Sequence, residues 1–233
     1  MIFMIKAVIF DLDHTLFDRY ATLTEIAKDL RSALPVNPAL TDNEIAEIMI
    51  KADKMCIHRG WEAVQEYITD KTCLFSEKIN PGDYFNYLLD RFMYTAVPYP
   101  FTIPTLNTLR KDGFKLGVIT NGRVGLQEAK LRMLRIDALF DEVIVCGQYG
   151  CPKPSLEPFY MMAERLKSEP SEMMYIGDNP LNDVDASRRA GYVPVFVNTA
   201  GYWTLPEIEP CELQVETIAE IPELVSSYNN KLK

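Results

Sequence analysis

The chain has 233 residues, 48% of them hydrophobic, which allows one large or two small domains with a sizeable core. A net charge of −9 argues against a nucleic-acid partner, which calls for a basic surface. An acidic protein can still take an anionic small molecule if a metal and a few cations are focused in one pocket.

Met1–Phe10 is apolar but too short for a signal peptide or a membrane span. No other run approaches the ~18 apolar residues a span needs, so no membrane partner is expected. A buried strand is predicted near Lys6–Phe10. From Phe17 to Thr95 the pattern is helical, with no convincing strand. Leu23, Ile26, Ala27, Leu30 and Leu34 keep helical spacing, and Thr41 with Glu44 forms a capping-box pattern ahead of Ile45, Ile48, Met49 and Ala52. Further helices are predicted near Trp61–Ile68 and Tyr84–Tyr94. Val97-Pro98-Tyr99-Pro100 stops the last of them and keeps the chain extended. Strands near Lys115–Thr120, Glu142–Cys146, Met174–Gly177 and Pro194–Val197 then alternate with helices near Pro104–Lys111, Leu126–Leu134, Leu156–Leu166 and Leu181–Ala190. That alternation predicts a parallel sheet covered by helices. Tyr202–Pro210 reads as loop, Leu213–Val215 as an edge strand, and Ile218–Tyr228 as a closing helix with Pro222 in its first turn. The expected organisation is an α/β core domain, residues 1–16 and 97–233, interrupted by an all-helical insert, residues 17–96.

The run Asp11-Leu12-Asp13-His14-Thr15 places two carboxylates two residues apart at the mouth of the first strand. Like charges that close repel, and a cation or a shared proton must offset the cost. A second acidic group, Gly177-Asp178-Asn179-Pro180-Leu181-Asn182-Asp183, follows the strand Met173-Met174-Tyr175-Ile176. Between the two lie a strand ending in Thr120-Asn121 and a loop lysine, Lys153-Pro154. Taken singly, each has an ordinary reading: a solvated strand end, a turn, a surface lysine, a helix start. In parallel sheets, however, ligands bind beyond the C-terminal strand ends, and Asp11, Thr120 and Asp178 all sit at such ends.

The four features in this order resemble the haloacid dehalogenase-like (HAD) hydrolase superfamily, and within it the phosphatase branch with a helical C1-type cap (subfamily I). The resemblance covers nearly the whole chain. Gly150, Lys153, Pro154 and Phe159 fit the third motif, and Ala190-Gly191 the turn after the fourth. One departure is Ala186, where many relatives carry Gly. The resemblance implies a Rossmann-like sheet of order 3-2-1-4-5, which brings Asp11, Asp13, Asp178 and Asp183 together, with the helical insert as a cap. It implies Asp11 as nucleophile, forming an aspartyl-phosphate, and Asp13 as general acid and then base. It implies Mg²⁺ held by the Asp11 and Asp178 carboxylates and the Asp13 backbone carbonyl, with Asp183 beside or on the metal. Thr120 and Asn121 would hold a phosphoryl oxygen, and Lys153 would neutralise its charge.

Asp13 with Thr15 looks like the phosphatase pattern rather than the dehalogenase one, and His14 and Thr15 weigh against the phosphosugar mutases. The expected function is therefore a Mg²⁺-dependent phosphomonoesterase acting on a small phosphorylated metabolite such as a nucleotide, a sugar phosphate or phosphoglycolate. The alternatives are a 2-haloacid dehalogenase-type hydrolase and a non-catalytic metabolite-binding protein on the same scaffold. Phe17, Asp18, Tyr20, Arg59, Trp61 and Arg123 are candidates for substrate selection, with Trp61 a stacking surface for a base or sugar. The five scattered cysteines lack CxxC spacing, which suggests reduced thiols in a cytoplasmic protein. A monomer or homodimer is expected.

Overall fold

The computed structural model describes residues 3–199 and 205–231; the first part of the predicted Tyr202–Pro210 loop lies outside them. In chain order the elements are β1 (Ala7–Phe10), β2 (Phe17–Asp18), α1 (Arg19–Ala27), α2 (Leu30–Ala33), α3 (Asp42–Cys56), α4 (Trp61–Lys71), α5 (Pro81–Phe92) and β3 (Val97–Pro98). They continue with α6 (Thr102–Lys111), β4 (Lys115–Thr120), α7 (Val124–Met133), β5 (Glu142–Val145), α8 (Glu157–Leu166), β6 (Met173–Gly177), α9 (Ala186–Arg189), β7 (Val193–Val197), β8 (Gln214–Val215) and α10 (Ile221–Asn230). The chain divides into two compact units, residues 1–18 with 98–233, and residues 19–97.

The first unit is built on a six-stranded sheet of order β5-β4-β1-β6-β7-β8, parallel at every pairing. Counting only these strands along the chain, the order is 3-2-1-4-5, as expected, with one more strand at the edge. Parallel strands buried on both faces read as unbroken apolar runs, and β1 (AVIF) and β6 (MMYIG) are buried at every position. Alternate residues serve opposite faces. Ala7, Ile9, Met173 and Tyr175 pack with Phe159, Met162 and Leu166 of α8 and with Ala186 and Ala190 around α9. Gly117 on β4 lets α8 pack close, because a Cβ would lie 2.8 Å from the Met162 sulfur and 2.9 Å from Ile9 Cδ1 and would make both side chains shift. Phe10 pairs with both Val118 and Ile176, so β1 is the central strand, and its C-terminal end opens between those of β4 and β6.

The second unit is five helices around Leu23, Ile26, Ile45, Met49, Val64, Ile68, Tyr84 and Leu88. The single helix expected over Leu23–Leu34 is two. The Asp29 carbonyl accepts from both the Ser32 amide and its hydroxyl and starts a new turn, and Leu34 is extended ahead of Pro35. The Thr41–Glu44 capping box is present. Helix α5 starts three residues before the predicted Tyr84, where the Asn80 side chain accepts from the Gly82 amide and Pro81 takes the first turn. Arg19 and Asp53 form a buried ion pair at 2.8 Å, with the guanidinium 4.9 Å from the Trp61 and Phe92 ring centres. The helical region is not wholly without strand: β2 and β3 form a separate two-stranded sheet at the two crossings. No helix among the described residues is long and apolar enough to cross a membrane.

Candidate active site

Three carboxylates converge at the C-terminal end of β1 and β6. Asp11 extends the β1–β6 ladder by one bond, its amide donating to the Ile176 carbonyl at 2.9 Å. Asp178 follows β6 directly. Asp183 is brought back by a turn in which the Asn179 side chain accepts from the Leu181 and Asn182 amides at 3.1 and 2.9 Å. The Asn179 amide donates to Asp183 Oδ2 at 2.9 Å. The segment Pro180–Asp185 is a π-helical turn, and regular α-helix begins only at Ala186, five residues later than Leu181. Gly177 makes the return possible, since a Cβ there would overlap the Asp183 carboxyl. One oxygen each of Asp11, Asp178 and Asp183 lies within 4.8 Å of the others. Three hard carboxylate oxygens at this spacing fit a divalent cation.

Lys153, only 4% exposed, is the counter-charge. Its Nζ donates to Asp11 Oδ1 at 2.6 Å, Asp183 Oδ1 at 2.7 Å and the Tyr175 hydroxyl at 2.8 Å, which uses all three ammonium protons. Tyr175 donates in turn to the Ile119 carbonyl at 3.1 Å. Burial opposes the ammonium, but Asp11 and Asp183 outweigh it and hold Lys153 charged well above its ordinary range. Burial pushes Asp11 up to about 7; Lys153 works against this, while Asp183 and Asp13 add to it. Asp178 is also raised, by burial first and then by Asp183 and Asp11. Without a cation, burial therefore favours protons on Asp11 and Asp178.

Lys153 is fixed through its backbone. The Asn121 side chain donates to the Lys153 carbonyl at 3.0 Å and accepts from the Lys153 amide at 2.8 Å. The loop after β4 thus carries the loop after β5, and the two approach so closely that a Cβ on Gly147 would overlap the Gly122 carbonyl. The Lys153–Pro154 peptide is cis. Thr120 ends β4, and its hydroxyl donates to the Asn121 carbonyl at 3.2 Å.

Asp11, Lys153, Asp178 and Asp183 are thus in one cluster, with Thr120 and Asn121 on the neighbouring strand end. The Asp13 carboxylate is turned elsewhere, toward Lys130 Nζ at 2.8 Å and Gln127 Nε2 at 2.9 Å. Gln127, Lys130, Tyr175 and Asn179 belong to this constellation, and sequence reading missed all four. Tyr175 hides in an apolar strand. The available signal for Gln127 and Lys130 was a polar pair three apart on the helix following Thr120, alternating with Ala129 and Leu131. Of the residues considered for substrate selection, Phe17 is fully buried. Trp61 is half-buried, with Phe85 5.5 Å away, Phe92 6.3 Å and the Arg19 guanidinium 4.9 Å from its ring centre. Arg59 donates to the Cys56 sulfur at 3.3 Å. All five cysteines are free thiols.

The family model for haloacid dehalogenase-like hydrolase matches residues 8–197, and the chain belongs to that family. Within it the chain stands with the phosphatases. It is 32% identical over 210 residues to a glyceraldehyde 3-phosphate phosphatase of Methanopyrus kandleri, covering 85% of this chain and 86% of the relative. It is 32% identical over 187 residues to a phosphoglycolate phosphatase of Aquifex aeolicus, covering 80% and 81%. The structure of L-2-haloacid dehalogenase from Xanthobacter autotrophicus superposes with a TM-score of 0.70 over 96% of this chain and 99% of that one; at 18% identity the likeness is one of fold.

Proposed function

We propose that this phosphatase hydrolyses a small open-chain phosphate monoester through an aspartyl-phosphate on Asp11, with Mg²⁺ held by Asp11, Asp178, Asp183 and the Asp13 backbone carbonyl. The observation that carries the reading is the convergence of three carboxylates, two of them bonded to one buried lysine. The cation, when bound, offsets the repulsion between ionised Asp11 and a phosphate dianion. Asp11 attacks phosphorus as the bond to the leaving oxygen breaks, and that oxygen takes its electron pair and a proton from Asp13. Water then attacks the phosphoryl group, its proton passes to Asp13, and phosphate leaves Asp11 as a free carboxylate. Thr120 and the Asn121 amide hold the phosphoryl oxygens, and Lys153 neutralises charge on them. The helical unit, residues 19–97, serves as the cap that selects the substrate and excludes water. Glyceraldehyde 3-phosphate and phosphoglycolate, on which the two relatives are named as acting, are both short open-chain monoesters and support that substrate class.

The test is phosphate release from these two compounds, a nucleotide and a sugar phosphate, with Mg²⁺ or with EDTA. Release is expected with Mg²⁺ and a short open-chain ester, and is lost in EDTA. Halide release from a 2-haloacid in excess chelator, without phosphate release, would overturn the reading.

A narrower prediction concerns the glycine under Asp183. Gly177→Ala displaces that carboxyl and is expected to weaken Mg²⁺ binding by roughly 10–100-fold. Isothermal titration of both proteins measures this; equal affinities would remove Asp183 from the metal site.

A further inference from the structure

Two polar side chains on α7 are buried where a helix normally presents leucine. Gln127 and Lys130 are each 2% exposed, and being three residues apart they share one helix face. A lysine so buried is unfavourable unless paired. Its Nζ donates to Asp13 Oδ1 at 2.8 Å and Oδ2 at 2.9 Å, and lies 5.2 Å from the centre of the Phe17 ring. Gln127 Nε2 donates to Asp13 Oδ2 at 2.9 Å and to Thr120 Oγ1 at 2.6 Å. Its amide is packed tightly, since a Cβ on Gly122 would lie 3.3 Å from Gln127 Cδ.

This arrangement does two things. The Asp13 carboxylate accepts bonds on both oxygens from two rigidly seated donors, which fixes its rotamer. The Thr120 oxygen accepts from Gln127 while its proton goes to the Asn121 carbonyl, so Gln127 helps to set the orientation of that hydroxyl. The bridge thereby ties Thr120 to Asp13.

We propose that Gln127 and Lys130 are positioning residues that hold Asp13 and Thr120 in register for phosphoryl transfer. This rests on the roles given to Asp13 and Thr120 above. A purely structural staple between α7 and the first loop would slow all substrates alike. A positioning role for the proton donor slows most those substrates whose leaving oxygen needs a proton.

The experiment compares kcat/KM for the best alkyl phosphate of the panel and for 4-nitrophenyl phosphate, whose phenolate leaves readily unprotonated. The proteins are wild type, Gln127→Leu and Lys130→Met, each with its melting temperature. Both replacements keep the length of an apolar side chain on α7, and the Asp13 side chain is 25% exposed and remains hydrated in Lys130→Met. Gln127→Leu changes no charge, so it carries the test if Lys130→Met folds poorly. The alkyl-to-aryl ratio of kcat/KM is expected to fall by about 10-fold or more, a part of the ~10²–10⁴-fold that a placed acid contributes. An unchanged ratio in folded variants overturns the positioning role and leaves the phosphatase reading standing. Wild type inactive on every phosphate ester overturns that reading, and this inference with it.

Discussion

Asp11→Asn is expected to abolish turnover and to leave a folded protein that, without metal, melts higher than wild type at pH 8. An amide neither attacks phosphorus nor carries the negative charge that draws a cation, so the loss is at least roughly 10⁴-fold. The fold does not depend on this carboxylate: Lys153 keeps Asp183 and Tyr175, and its backbone keeps Asn121. The stability gain follows from the direction of the Asp11 shift. Its carboxyl titrates near 7 in the fold against 3.8 ordinarily. Below the ordinary value both states are protonated and nothing is lost. As pH rises from about 4 to about 7 the unfolded chain releases its proton before the folded one, so wild-type stability falls. Asparagine removes that decline at position 11. Calorimetry in EDTA at pH 4 and pH 8, beside phosphate release in Mg²⁺, checks both halves. An Asn variant that melts below wild type at pH 8 would show that the carboxylate holds the cluster together rather than loading it with charge.

Lys153→Met acts in the opposite direction on stability. It leaves Asp11, Asp178 and Asp183 with no ammonium among them. Breaking a buried pair by removing one partner costs about 3–5 kcal/mol, which for a chain of this size is a fall in melting temperature of roughly 6–20 °C. Turnover is expected to fall by about 10²–10³-fold, the range for losing one charge-stabilising donor. Mg²⁺ takes over part of the lost counter-charge, so it is expected to raise the variant's melting temperature more than the wild type's. Scanning calorimetry with and without Mg²⁺ reads this. A variant melting within about 2 °C of wild type in EDTA would mean that the three acids hold protons in place of the ammonium.

The strands were legible because both faces of the sheet are covered, so β1 and β6 are apolar at every position, a pattern with no competing reading once Gly and Pro bound it. The site acids and Lys153 were legible because each follows such a strand or its loop. Gln127 and Lys130 were not, because polar residues on a helix ordinarily face water, and only the nearness of Thr120 and Asp13 turns them inward. Tyr175 lies in an apolar strand and its ring belongs to the core, so nothing in the sequence marks the hydroxyl that reaches Lys153. The turn over Pro180–Asp185 has helical spacing in sequence, but the Asn179 side chain captures the Leu181 and Asn182 amides and sets a wider turn there. In the helical unit, Trp61 was judged by what an indole can bind, whereas its surroundings are decided by Arg19 and Phe92 some forty residues before and thirty after.

The Asn121 tether also separates two properties of residue 153 that usually travel together. It grips only the amide and carbonyl of that residue, atoms every non-proline amino acid supplies, so the course of the loop does not depend on what the side chain is. Charge and path can then be altered one at a time. A change at 153 edits the electrostatics over an unmoved backbone, and a change at 121 lets an intact ammonium drift from the carboxylates it faces.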